Sequence, residues 1–160
     1  PVCYQQTYLF HDTIFNNVAL YQEYSKEEVI NALKKAGIYD TIQQLPDGVF
    51  EKTRENGSNF SGGELQRIAL ARLFLRNKTM TFLDEIRSGL DNETACEIEK
   101  RLLEEDMTII SITHRYNKSL MQKYNEIIVM DNGKIVERGS FDELIAKGRV
   151  YYNLYKIQNE

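Results

Sequence analysis

Ser61, Gly62, Gly63 and Glu64 stand together in the stretch N-F-S-G-G-E-L-Q-R at positions 59–67. A serine followed three residues later by a glutamate is the pattern of a capping box, in which the serine side chain accepts from the third amide of a helix and the glutamate reaches back to the cap. A cap alone does not ask for two glycines in the first turn, where each costs up to about 1 kcal/mol relative to alanine. Without a Cβ, the pair lets an anionic group approach backbone amides that already point outward at the positive end of the helix dipole. Ser61 adds a hydroxyl to that cradle. The chemistry implied is phosphate binding.

Two carboxylates follow. The run T-M-T-F-L at 79–83 is short, partly β-branched and flanked by polar residues, so it reads as a buried strand of a parallel sheet that ends in Asp84 and Glu85. In open α/β sheets the carboxyl ends of the strands are where ligands bind. Adjacent side chains on an extended chain point in different directions, so one carboxylate can serve a hard cation and the other a water that must lose a proton. A second run, M-T-I-I-S-I-T at 107–113, has the same character and delivers His114 to the equivalent place. That histidine is a candidate for touching a terminal phosphate; the other one, His11, reads as surface.

These residues need a scaffold. Positions near 13–76 read as mostly helical: Ser25 and Glu28 form a capping box for a helix that Gly37 can end, and the helix after Ser61 carries Leu65, Ile68, Ala69 and Leu73 on one apolar face. From position 79 strands alternate with helices near 92–104 and 118–124, which predicts a parallel α/β sheet. A hairpin is expected over 126–136 around Asn132-Gly133, then a helix capped by Ser140 and Glu143 and a last one over 151–158.

Bulk properties narrow the function. The 160 residues make one domain's length, and a net charge of −4 with pI near 5.3 gives no basic footprint, so no nucleic-acid partner is expected. No apolar run approaches the roughly 18 residues of a membrane span. Cys3 and Cys96 lie far apart without histidine companions, which suits reduced thiols rather than a disulfide or a metal site.

The motifs, taken in order, resemble the nucleotide-binding domain of ATP-binding cassette (ABC) transporters. Gln5 in C-Y-Q-Q-T-Y-L-F-H-D-T-I resembles the Q-loop glutamine, F-S-G-G-E-L-Q-R-I-A-L-A-R the signature motif, and T-M-T-F-L-D-E the Walker B strand with its catalytic glutamate. S-G-L-D, Ser88 to Asp91, resembles the D-loop and I-T-H-R the switch histidine. L-P-D-G-V-F, R-E-N-G-S and G-K-I-V-E-R-G-S-F-D-E-L are similar to the exporter branch, whose domains are fused to a transmembrane half. The resemblance implies a P-loop NTPase-like α/β core with an ABC helical subdomain over about 13–76, while 1–12 and 77–160 belong to the ATPase core and C-terminal tail.

It further implies ATP and Mg2+ as cofactors, and a second nucleotide-binding domain as partner in a homo- or heterodimer that sandwiches two ATPs. Glu85, His114 and Gln5 would be catalytic. Ser61, Gly62, Gly63, Glu64 and Asp91 would contact nucleotide, and Asp84 with Gln5 would hold magnesium, largely through water. Tyr8, Phe10 and Glu55 fall in segments that in exporters meet the transmembrane coupling helices, which places the domain on the cytoplasmic face of a membrane. Glu64 stands where the family often has glutamine, and Ile86-Arg87 where a small pair is usual. No G-x-x-x-x-G-K-[ST] occurs in the 160 residues; the family's Walker A lies upstream of its Q-loop, so a truncated piece that is a poor ATPase by itself is the expectation. The rival is an ABC-class ATPase acting on nucleic acid or the ribosome, for which a basic patch or a coiled-coil insertion before Ser61 would speak.

Overall fold

The computed structural model describes residues 2–3, 8–76, 79–84 and 90–159, with side chains from 8 to 158 over these spans. The chain forms two compact units, Pro1–Ile112 and Thr113–Glu160.

In the first unit, β1 (Val2–Cys3) precedes a set of helices, α1 (Ile14–Ala19), α2 (Lys26–Lys35), α3 (Tyr39–Ile42) and α4 (Gly62–Arg76). The starts of α1 and α2 have a local cause. Thr13 Oγ1 accepts from Asn16 N at 3.0 Å to cap α1, and Ser25 with Glu28 closes a full capping box on α2. Beyond α2, Gly37 takes φ +68°, a left-handed turn that glycine enters without a steric penalty. Two 3-10 turns, Gly48–Phe50 and Glu55–Gly57, lead into α4.

The sequence predicts one apolar face on α4, and Ile68, Ala69 and Leu73 are indeed buried, with Leu65 partly so. Burial extends further, to Leu70, Ala71 and Phe74. A helix buried on several sides is a central one, and α4 is packed by α1 and α2. Val29 and Leu33 of α2, Ile14 and Val18 of α1, and Ile98 and Leu102 of α5 (Asn92–Leu103) share that core.

The strands β2 (Met80–Asp84) and β3 (Thr108–Ile112) are parallel, with Asp84 opposite Ile112, and β1 runs parallel to β2 on its other side. The expectation that both strands are buried needs correction. Thr81 and Leu83 are buried, and Leu83 joins the helical core, but Met80, Phe82, Ile110 and Ile112 are exposed. Side chains alternate across a strand, and the helical core covers only the face that carries Leu83.

The second unit contains α6 (Lys118–Met121), shorter than the predicted 118–124, and an antiparallel hairpin of β4 (Ile127–Asp131) and β5 (Lys134–Gly139). Asn132 and Gly133 both have positive φ, as the tight two-residue hairpin turn requires. Then come α7 (Phe141–Lys147), with a capping box from Ser140 and Glu143, and α8 (Val150–Asn159). The buried Glu137 of β5 accepts from Tyr151 N at 2.7 Å, so a carboxylate caps the first turn of α8 from the neighbouring strand. Burial raises the Tyr151 phenol well above its ordinary range.

Candidate nucleotide-binding site

The start of α4 is built by its own sequence and by the turn before it. Gly57 adopts φ +69° and is buried, and a Cβ there would collide with the Leu65 side chain and lie 3.2 Å from Leu9 Cδ1. Glycine thus lets the R-E-N-G-S turn press directly onto the first turns of α4. Asn59 Oδ1 accepts from Arg54 N at 2.9 Å and ties the same turn to itself.

Ser61 and Glu64 form the capping box. Glu64 N donates to Ser61 Oγ at 3.3 Å, and Ser61 N donates to Glu64 Oε2 at 2.7 Å. The Ser61 hydroxyl donates to the same Oε2 at 2.9 Å. Between them Gly62 is exposed, and a Cβ placed on it would meet nothing within 4 Å. Gly62 therefore fills no packing role inside the chain, and the open space beside it fits an external group that approaches the backbone closely. Gly63 completes the pair in the same turn.

Asp84 is the last residue of β2 and is exposed at the strand's carboxyl end. Its sequence neighbour Glu85 lies outside the described residues, as do Gln5, Ile86, Arg87, Ser88 and Gly89. Asp91 is described and serves as the cap of α5, its side chain accepting from Thr94 N at 2.9 Å. The hydrogen bond from Thr94 holds its carboxyl below the usual carboxylate range. His114 belongs to the second unit and is exposed; Gln158 clamps its loop by donating from Nε2 to the His114 carbonyl and accepting from Tyr116 N at 3.0 Å. Ser61, Gly62, Gly63 and Glu64 thus come together in one helical turn, while Asp84 and Asp91 sit at two other element ends. Among the described residues no group of three or more His, Cys, Asp or Glu gathers as a metal site.

The residues missed by sequence reasoning lie in a buried polar hub. Asn17 Oδ1 accepts from Phe10 N at 2.8 Å and its Nδ2 donates to Phe10 O at 2.9 Å and Thr13 O at 3.0 Å. From α4, Arg72 Nε donates to Asn17 O at 2.8 Å and Nη2 to Tyr8 O at 2.9 Å. The guanidinium thereby straps the segment that carries Tyr8 and Phe10 to the helix that begins at Gly62. A pair of asparagines, Asn16 and Asn17, between apolar residues in I-F-N-N-V-A was the available signal. Tyr8, Phe10 and Tyr21 present exposed rings, with centroids 5.2 Å apart for the first pair and 6.2 Å for the second. Glu55, exposed as well, lies in the turn before α4.

A parallel sheet with the Asp84 carboxylate at the end of one strand, beside a central helix that starts S-G-G-E, defines a nucleotide-handling class, and the chain belongs to the ABC transporter family, whose model matches residues 2–88. Over 156 residues it is 42% identical to an ATP-dependent lipid A-core flippase of Francisella tularensis subsp. tularensis (strain SCHU S4 / Schu 4), a match that covers 95% of this chain and 25% of the relative. The protein of the same description from Haemophilus ducreyi (strain 35000HP / ATCC 700724) is 43% identical over 158 residues, 96% of this chain and 27% of the relative. The fold is similar to part of a bacterial Atm1-family ABC exporter solved with ATP bound, at a TM-score of 0.87 and 34% identity over 99% of this chain and 28% of that one. The chain therefore spans about a quarter of the length of these relatives. No described helix is long and apolar enough to cross a membrane.

Proposed function

We propose that this chain is part of the nucleotide-binding domain of an ABC exporter and that, paired with a second such domain, it couples ATP binding and hydrolysis to transport across a membrane, working at the cytoplasmic face. The carrying observation is the start of α4, where a hydroxyl stands beside Gly62, whose missing side chain leaves open space for an anion at the head of a 15-residue helix. In this reading Ser61 and the amides of Gly62 and Gly63 donate to the γ-phosphate of an ATP held by the partner domain. Asp91 lies near the seam through the loop it ends.

Asp84 offers an exposed hard oxygen at a strand's carboxyl end, which fits Mg2+, with Gln5 as its companion. Bound there with ATP, the ion would neutralise charge on the phosphate oxygens. Glu85 orients the attacking water and takes its proton, and His114 contacts the γ-phosphate. Catalysis in such a site is positioning and charge stabilisation, so dividing it between two domains makes hydrolysis report their closure. The exposed rings of Tyr8 and Phe10, with Glu55, form the face for the coupling helices of the membrane part.

Glu85→Gln in the full-length protein tests the assignment of the base. ATP binding should survive while hydrolysis slows by roughly 10² to 10⁴, because the shape is kept and the general base is lost. Nucleotide binding and phosphate release, measured side by side, decide it. Hydrolysis within a few-fold of wild type would remove Glu85 from the role.

A further inference from the structure

The carboxylate that closes the capping box on α4 also holds the hydroxyl that the phosphate reading needs. Glu64 Oε2 accepts both from Ser61 N at 2.7 Å and from Ser61 Oγ at 2.9 Å. A serine hydroxyl has one proton to donate. While that proton points at Glu64, it is withheld from any phosphate oxygen arriving over Gly62. The incoming anion also meets a carboxylate in the same helical turn, and like charges at close range disfavour each other. The helix start is therefore already served by an internal anion.

Resting on the trans-phosphate reading above, we infer that Glu64 is a built-in competitor for the γ-phosphate and sets the ATP concentration at which two domains close. Closure on nucleotide requires the Ser61 hydroxyl to turn from Glu64 to the phosphate. A glutamine at position 64 would keep an oxygen for Ser61 N, and with it the helix cap, while giving the hydroxyl a neutral and weaker acceptor. The brake lies in the charge; the cap lies in the oxygen.

Steady-state ATPase measurements on the full-length protein test this. In Glu64→Gln the KM for ATP should fall roughly two- to fivefold, which is what a charge contact of up to about 1 kcal/mol near the surface gives, with the change falling on KM more than on kcat. In a Ser61→Ala background, where no hydroxyl remains to be contested, the same substitution should move KM by less than twofold. A KM that stays put or rises in Glu64→Gln, or a shift undiminished in the Ser61→Ala background, overturns the inference. Glu64→Asp, which draws the charge back by one methylene, gives the same test through a smaller fall in KM should the glutamine variant not fold. Ser61→Arg separates this inference from the reading beneath it. If Ser61→Arg leaves ATP-driven dimerisation intact, the trans-phosphate reading fails; if it abolishes dimerisation while Glu64→Gln leaves KM unchanged, only the role of Glu64 fails.

Discussion

Three helices in this chain begin with the same chemistry and differ in what the first turn leaves open. At α2, α4 and α7 the backbone amide of a serine donates to a glutamate three residues on, at 2.7, 2.7 and 2.9 Å, and the glutamate amide returns to the serine hydroxyl at 3.2, 3.3 and 3.4 Å. Between serine and glutamate, α2 has Lys26-Glu27 and α7 has Phe141-Asp142, with Phe141 buried and an acidic residue set against the helix dipole in both. Only at α4 are both slots glycine. Capping geometry therefore cannot mark a ligand site by itself. The mark is the loss of side chains where helix stability would favour having them.

The sharpest way to break that distinction is Gly62→Ala. A Cβ there meets nothing within the chain, so alanine should raise stability by up to about 1 kcal/mol through helix propensity. If the open space is reserved for phosphate, the same methyl should weaken ATP-driven dimerisation of the full-length protein by about tenfold, a factor that corresponds to about 1.4 kcal/mol. Thermal melts and the ATP dependence of dimerisation give the two readings. A variant that is more stable and dimerises normally would reduce α4 to a third ordinary cap.

The counterpart at α2 should behave in the opposite sense. Ser25→Ala removes an acceptor for Glu28 N and should cost about 1 kcal/mol of stability. Its effect on the KM for ATP should stay within twofold, since Ser25 heads a helix whose first turn carries full side chains. A clear ATP effect from Ser25 would mean that helix stability alone controls nucleotide response.

The capping boxes were legible in the sequence because they are local: three residues fix both partners. So were the parallel strands ending at Asp84 and before His114, whose apolar runs declare themselves. The face of β2 that the core covers was not, since Met80 and Phe82 are as apolar as Leu83 and only the position of the helices decides between them. Nor was the width of the buried surface on α4, which depends on α1 and α2 packing against it. Arg72 and Asn17 escaped for a similar reason, because their partners are main-chain carbonyls of Tyr8 and Phe10, and main chain leaves no mark in composition. Asp91 shows a local signal read for one purpose only: D-N-E-T is an N-cap pattern as well as the end of a D-loop, and its cap is the contact the structure displays.

The smallest expected effect concerns acid. Glu28 and Glu143 are held below the ordinary glutamate range chiefly by the hydrogen bonds from the backbone of Ser25 and Ser140, and Asp91 is lowered in the same way by Thr94. A carboxylate whose folded pKa is depressed contributes stability that is fully present above its unfolded value, and that contribution disappears as pH falls through the folded one. Stability should therefore be flat with respect to these groups from pH 7 to about 5, with the loss setting in below about pH 4. All three groups are solvent-exposed, so the effect per group is small. Tm measured from pH 7 down to 3 should fall less steeply in a Ser25→Ala Ser140→Ala double variant, because carboxylates that have lost part of their cap have less to lose on protonation. An acid limb of unchanged slope would show that the serine hydroxyls add nothing to what the backbone amides of Ser25 and Ser140 already do for Glu28 and Glu143.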